Sequence, residues 1–252
     1  MAENLRQTEI LRLAAREGQV QVDDLAQRLS TSPQTIRKDL TELSQSGQLK
    51  RVHGGAILPM GTTNIAYAAR RDLHADAKAR IAAACAAHIP NNVSVFLNIG
   101  TSTEAVARAL LGHRDLMVIT NNLNVANILA ANPNCEVVVA GGVLRRADGG
   151  LTGSMTMQVI EQFKTDIAVI GCSALGTDGD ILDFDVQEVS VSQAILRRSR
   201  SSFLVADASK FERHAPVMIG SMRQVDHIFT DVPILSPLKE TLSDWQTAVT
   251  VS

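Results

Sequence analysis

The sequence predicts an α/β protein in two parts, an amino-terminal winged helix-turn-helix and a larger, mostly parallel α/β domain. Two observations carry that prediction. Near residue 58 the hydrophobic pattern changes from short stretches of helical period to brief apolar runs alternating with helical segments. A basic, glycine-containing segment, Lys50 to Gly55, closes the first part. The length of 252 residues accommodates two unequal domains at roughly 100–200 residues each. The expected boundaries are 1–57 for the first domain, 58–75 for a linker and 76–252 for the second.

In the first domain, residues 5–17 carry Ile10, Leu13 and Ala14 at helical spacing, and Gly18 supplies a stop. Asp23 is placed to cap a short helix over 24–29 that buries Leu25 and Leu29, and Ser30-Thr31 makes a tight turn. Ser32 caps a third helix, Pro33 occupies its first position, where no amide donor is needed, and Gly47 ends it. Residues 49–57 read as a small hairpin, with Gly54-Gly55 permitting the reversal.

Beyond a helical stretch over 66–88, strands are expected at 93–99, 116–120, 135–140, 166–171, 202–205 and 226–230. Helices over 124–131 and 156–164 show one apolar face each, carried by Val125, Ile128 and Leu129 and by Val159, Ile160 and Phe163. Strands and helices in that order make a mostly parallel sheet covered on both faces.

Composition excludes several classes. With 45% hydrophobic and 20% charged residues the chain is not disordered. The 24 Lys and Arg against 26 Asp and Glu leave a formal charge of −2, so attraction to nucleic acid must come from a local patch. Cys85, Cys135 and Cys172 form no C-x-x-C pair and are odd in number, which argues against a disulfide framework or a cysteine zinc site. The six histidines lack short ligand spacing, so neither a metal nor a cofactor is expected. Met1-Ala2-Glu3-Asn4 is not a signal peptide, and no apolar run approaches the roughly 18 residues of a membrane span, so a cytoplasmic protein without membrane contact is expected.

On a helical wheel Ile36, Leu40 and Leu43 share one arc and must face the core. The opposite face then presents Gln34, Lys38, Thr41 and Gln45, flanked by Thr35 and Arg37. Such side chains suit the DNA major groove: glutamine reads adenine edges, arginine or lysine reads guanine, and hydroxyls hold phosphates. Ser32, at the helix start, sits beside free amides that favour a phosphate. Lys50, Arg51 and His53 next to the glycine pair have the composition of a wing that lies along the minor groove.

In the second domain, the strand over 93–99 runs into Gly100-Thr101-Ser102-Thr103 at the start of a helix. Glycine lets backbone approach an anion, while consecutive amides, three hydroxyls and the helix start favour it. Taken alone these four residues also suit a plain strand-to-helix turn. No G-x-x-x-x-G-K-[ST] or G-x-G-x-x-G motif is present, so nucleotide hydrolysis and dinucleotide binding lack support. Thr120-Asn121-Asn122, Gly141-Gly142 and Gly171-Cys172-Ser173 follow other strands and converge on the edge where open parallel sheets bind ligands. Asp183, Asp185 and Glu188 make an acidic cluster, and Asp207-Ala208-Ser209-Lys210 follows a further strand, with Lys210 placed to complete an anion site.

The run from Ser32 to Leu40, followed by Leu43 and by Arg51-Val52-His53-Gly54-Gly55-Ala56, resembles the winged-helix signature of the DeoR family of bacterial sugar-metabolism repressors. The resemblance extends over essentially the whole chain. It implies a recognition helix corresponding to Pro33 to Ser46, and a second domain similar in fold to ribose-5-phosphate isomerase and the coenzyme A transferases that binds phosphorylated sugars or polyols as inducers. The family's glycine-threonine loop matches Gly100 to Thr103. Its Thr-Asn, Gly-Gly and Asp-x-Ser-Lys segments match Thr120 to Asn122, Gly141-Gly142 and Asp207 to Lys210. Asp39 either orients Arg37, as its place in the signature implies, or is a solvated acid on the helix flank.

Within the family, Asn98 to Thr101, Thr120 to Asn127, Phe184-Asp185 with Glu188-Val189, and Ser209 to Phe211 most resemble the repressors of glycerol catabolism, and that resemblance implies release by glycerol 3-phosphate. Asn98, Ser102 and Ala77 depart from the family pattern. Asn98 weakens any acid-base inventory, and Ala77 removes a surface ion pair. The expected partners are double-stranded operator DNA, a phosphorylated polyol or sugar as effector, and further copies of the chain in a homodimer or homotetramer. The rival reading is an isomerase-like enzyme using Asp183, Asp185, Glu188 and Lys210 for proton transfer.

Overall fold

The computed structural model describes residues 2–17, 19–52, 54–57 and 67–252, and its contacts separate into two units, Met1–Asp72 and Leu73–Ser252. The first unit opens with α1 (Ala2–Glu17), β1 (Gln19–Gln21) and α2 (Val22–Arg28). Val22 and Leu25 are buried with Ile10, Leu13 and Ala14 from α1. Gln21, not Asp23, is the N-cap of α2 and makes no side-chain cap bond; Asp23 lies in the first turn, where its charge favours the helix dipole.

Helix α3 (Pro33–Gln45) begins as its residues dictate. The Ser32 hydroxyl accepts a hydrogen bond from the Thr35 amide at 3.1 Å and Pro33 occupies the first turn. Its end is a Schellman motif: Gly47 has φ +75°, and the amides of Gly47 and Gln48 donate to the carbonyls of Ser44 and Leu43 at 3.1 and 2.8 Å. Ser32→Ala is expected to cost about 1 kcal/mol of this unit's stability, read as an earlier urea midpoint. The wing is β2 (Lys50–Val52) with β3 (Gly55–Ile57), and β3 lies between β2 and β1 in an antiparallel sheet. His53 and residues 58–66, which include most of the expected linker, lie outside the described residues.

The expected helix over 66–88 is two helices, α4 (Tyr67–Asp72) and α5 (Ala75–Ala87), broken where His74 adopts φ +55°. Ala77 on α5 is buried, so the position is not the surface one expected from the sequence.

The second unit continues as β4 (Ser94–Leu97), α6 (Thr101–Ala109), β5 (Leu116–Thr120), α7 (Leu123–Leu129), β6 (Cys135–Val139), β7 (Val143–Arg145), β8 (Gly150–Thr152), α8 (Ser154–Glu161) and β9 (Thr165–Ile170). It ends with β10 (Ala174–Leu175), β11 (Asp180–Asp183), α9 (Val186–Arg197), β12 (Ser199–Val205), β13 (Val217–Ser221), β14 (His227–Thr230), α10 (Leu238–Asp244) and β15 (Ala248–Val251). Seven strands form one parallel sheet in the order β15-β14-β12-β9-β4-β5-β6.

Alternation along each strand separates two cores. Val95 and Leu97 of β4 pack on one face with Ile81 and Cys85 of α5 and Val106 of α6. Phe96 faces the other way, toward Val191 and Ile195 of α9 and Leu242 of α10. Strand order reverses between β4 and β9, the switch point at whose carboxyl edge open parallel sheets bind ligands. Two small antiparallel sheets, β7-β8 and β10-β11-β13, lie outside the alternation read from the sequence. Among the described residues no helix is long and apolar enough to cross a membrane.

Candidate functional site

In the first unit, burial of Ile36, Leu40 and Leu43 leaves Gln34, Arg37, Lys38 and Thr41 exposed and Thr35 partly so. Together with Glu42, Gln45 and Arg6 of α1, these residues line one open hollow of about 770 Å³. Lys50 and Arg51 are exposed on β2. Ser32 is spent on capping, its hydroxyl 2.8 Å from that of Thr35, and the Thr41 hydroxyl donates to the Arg37 carbonyl at 2.7 Å. Lys38 lies 3.7 Å from Glu42, an exposed pair that contributes little.

Asp39 takes neither of its expected roles. It is 1% exposed and accepts both bonds of an Arg6 fork, at 2.5 and 3.0 Å. Arg6 is absent from the residues read from the sequence, because it enters the face from α1, across 33 residues.

In the second unit, Gly100 adopts φ +141°, a conformation that favours glycine, and turns the chain from β4 into α6. Thr101, Ser102 and Thr103 are buried in the first turn. The Thr103 hydroxyl donates within the loop, to the carbonyls of Asn98 at 2.7 Å and Gly100 at 2.8 Å. Asn98 is locked as well, accepting from the Ile99 amide and donating to Ser192 on α9, both at 2.7 Å. The loop therefore presents a rigid helix start whose first amides lack intrahelical acceptors.

Thr120 and Asn122 also serve the scaffold. The Thr120 hydroxyl donates to Leu97 O at 2.6 Å, and Asn122 caps α7 through the Asn124 amide at 2.8 Å. Asn121 donates to Leu151 O at 3.1 Å, while its Oδ1 is buried without a protein donor. At Gly142, φ is +149° and a Cβ would collide with the Thr156 hydroxyl, which itself donates to Gly141 O at 2.6 Å.

Glu188 belongs to a compact charge cluster that the sequence shows only in part. Arg145 on β7 reaches Asp148 at 2.5 Å, Asp185 at 2.9 Å and Glu188 at 2.6 Å. Burial and the neighbouring Asp183 charge push the Glu188 carboxyl up to about 7, against the pull of Arg145. For Arg145, Asp148 and Glu188 outweigh burial and raise its pKa above the ordinary arginine value. Asp185 is held below the usual carboxylate range because, although burial opposes it, the Glu188 and Gln187 amides and Arg145 stabilise its charge.

Across the same edge, Asp207 is held low, against burial, by the Lys210 charge and the Ser209 hydroxyl, and its Oδ2 is a buried acceptor without a protein donor. Lys210 is 8% exposed. The charges of Lys210, Asp183 and Asp207 all act on Cys172, whose thiol burial pushes up to about 12. These shared influences, and the Ser173 hydroxyl donating to Asp183 at 2.9 Å, bring the ends of β9, β11 and β12 together at the carboxyl edge. Among the described residues no group of three or more His, Cys, Asp or Glu is arranged to hold a metal ion.

A reading helix with a wing, joined in one chain to a parallel α/β unit with a polar strand edge, defines the class: a DNA-binding transcriptional regulator with a small-molecule sensor. Residues 6–62 match the DeoR-like helix-turn-helix domain and residues 73–232 the DeoR C terminal sensor domain, and the chain belongs to the DeoR family. It is 42% identical over 244 residues to the glycerol-3-phosphate regulon repressor of Escherichia coli K12, covering 97% of both chains. To the protein of the same name from Haemophilus influenzae it is 44% identical over 243 residues, covering 95% of both. It is also 40% identical over 243 residues to the E. coli HTH-type transcriptional repressor CsqR, covering 96% of this chain and 93% of that one.

The chain is therefore a transcriptional repressor and not an enzyme. Ribose 5-phosphate isomerase A from Methanocaldococcus jannaschii has a TM-score of 0.41 at 12% identity, covering 54% of each chain. A 4-hydroxybutyrate CoA-transferase from Porphyromonas gingivalis has 0.39 at 18%, covering 65% of this chain and 49% of that one. Both likenesses are too loose to bear on function.

Proposed function

We propose that this repressor controls a glycerol-catabolic operon and leaves its operator when glycerol 3-phosphate occupies the carboxyl edge beside β4. The observation that carries the reading is the division of labour along the strand edge. The start of α6, from Gly100 to Thr103, and the buried Lys210 suit a phosphate, whereas the buried acceptors Asn121 Oδ1 and Asp207 Oδ2 suit the donating hydroxyls of a polyol. The names of the relatives in E. coli and H. influenzae support the same effector.

In this reading Gly100, Thr101, Ser102, Thr103, Thr120, Asn121, Asn122, Gly141, Gly142, Glu188 and Lys210 build the effector site, several of them by holding the backbone in place. Ser32, Gln34, Thr35, Arg37, Lys38, Thr41, Lys50, Arg51 and His53 form the DNA contact, Ser32 by holding the start of α3 in place. The division into 1–57, 58–75 and 76–252 and the assembly into a dimer or tetramer belong to the same proposal, because a two-fold pair matches the two half-sites of an operator.

Induction requires the effector to favour the DNA-free state, with about 1.4 kcal/mol of coupling for each tenfold loss of operator affinity. Titrating glycerol 3-phosphate, fructose phosphates and deoxyribose phosphate into an operator-shift assay tests this. Glycerol 3-phosphate is expected to release the DNA at the lowest concentration. The double change Thr101→Ala with Thr103→Ala is expected to abolish release and leave operator binding intact. Release by another phosphate alone would overturn the choice of effector, and loss of DNA binding in the variant would overturn the site.

A further inference from the structure

We infer that Arg6 is a further DNA-contacting residue: a cation set into the reading face by its fork on Asp39, which takes a backbone phosphate of the operator. The inference rests on α3 presenting its exposed face to DNA. Arg6 shares its hollow with Gln34, Arg37, Lys38 and Thr41, so a duplex seated on those side chains also meets Arg6. Its position is set from beneath. Nε and Nη2 donate to the two oxygens of Asp39, which is 1% exposed, while the Arg6 side chain retains 20% exposure.

A guanidinium fixed by such a fork keeps a planar, pre-organised group at a defined place, the form in which arginine recognises phosphate. Next to it, Gln7 donates to Glu42 at 2.7 Å, a second tie from the start of α1 to the flank of α3. The arrangement also resolves a conflict within α3. A groove reader cannot bring an uncompensated carboxylate toward the phosphates, and Arg6 neutralises the buried one.

The test replaces both partners together, Arg6→Gln with Asp39→Asn, which leaves net charge unchanged and strands no buried ion. Operator affinity of the full-length protein is measured against salt. A phosphate contact by Arg6 predicts a log-affinity against log-salt slope shallower by about 0.9 per subunit. Between about 50 and 200 mM salt the variant would then lose about 3.5-fold less affinity per contact than the wild type. An unchanged slope, with affinity equal or lower, would show a merely structural pair and overturn the inference.

Arg12→Gln is the control, since Arg12 is exposed on the same helix and paired with Glu9, and its slope should match the wild type. If the double variant does not fold, arginine side-chain NMR of the wild type decides. The Arg6 Nε–H signal moves on addition of operator duplex if the contact exists and stays in place if it does not. A wild-type protein with no salt-dependent operator binding would instead remove the interface reading itself, an outcome distinct from an unchanged slope in the variant.

Discussion

Replacing Arg145 with methionine is expected to destabilise the second unit by about 3 kcal/mol at neutral pH, read from urea unfolding followed by a probe in that unit. The cost is electrostatic. Arg145 is the cation that reaches Asp148, Asp185 and Glu188, and the side chains of Asp148 and Glu188 are only 3% and 11% exposed. Methionine fills most of the same space but withdraws the Arg145 charge from these acids, and an under-compensated buried charge costs more than the pair itself contributes. The value sits at the lower end of the usual range because Arg145 keeps 23% exposure. A loss under about 1 kcal/mol would show that solvent already screens the cluster.

The same cluster sets a pH dependence. The folded-state carboxyl of Glu188 titrates near 7 against an ordinary 4.5, so the folded chain retains a proton that the unfolded chain releases. Its contribution to stability is fully present below 4.5 and is lost as pH rises through about 7. Asp185 and Asp207 work in the opposite sense: they are held below 3.8, so their contribution is present above that value and lost as pH falls through their folded-state pKa. Urea midpoints of the wild type are therefore expected to fall between about pH 5 and pH 7 and to level off above that. In the Arg145→Met variant the deficit should shrink toward acid, where the neighbouring carboxylates take up protons.

Gly55→Val is expected to unfold the DNA-binding unit selectively, at a cost of about 3 kcal/mol or more, and to abolish operator binding while the sensor unit melts as before. Gly55 pairs with both Gln21 and Val52, and a Cβ there would run into the backbone carbonyl of Val20. Backbone cannot move aside as a side chain tip can, so the sheet β1-β3-β2 would have to part. Differential scanning calorimetry of the full chain checks this, with one transition lost and the other retained. Gly54 is the contrasting control. Its φ is +76°, so Gly54→Asn, which tolerates that conformation, should keep the wing.

The two glycines show where local reading succeeds and where it stops. A reversal is written into Gly54-Gly55, and Gly54 performs it. Gly55 is needed because another strand lies against it, and no property of residues 49–57 announces that strand. Likewise, the α3 face is legible because Ile36, Leu40 and Leu43 recur at the helical period, so the remaining side chains must point outward. Asp39 carries no such mark, since its partner is on α1.

In the sensor unit the order of strand, glycine-rich loop and helix around Gly100 is legible, and so is the convergence of the strand ends, because a parallel sheet sends every carboxyl end to one edge. The small sheets are not: β7, β8 and β10 are two or three residues long, too short for a period of two to register. Nor does Arg145 stand out among the other arginines until β7 brings it to the start of α9.

What residues 1–252 specified by themselves was the alternation of elements, the buried stripe of each helix and the glycine turns, because each follows from the geometry of neighbours in the chain. Tertiary structure alone decided which charges meet, Arg6 with Asp39 and Arg145 with Asp148, Asp185 and Glu188, and which hydroxyls are spent on the backbone, Thr103 and Thr120 among them. Local geometry repeats every two or 3.6 residues and leaves a pattern, whereas a bond between distant residues depends on how whole elements pack and leaves none.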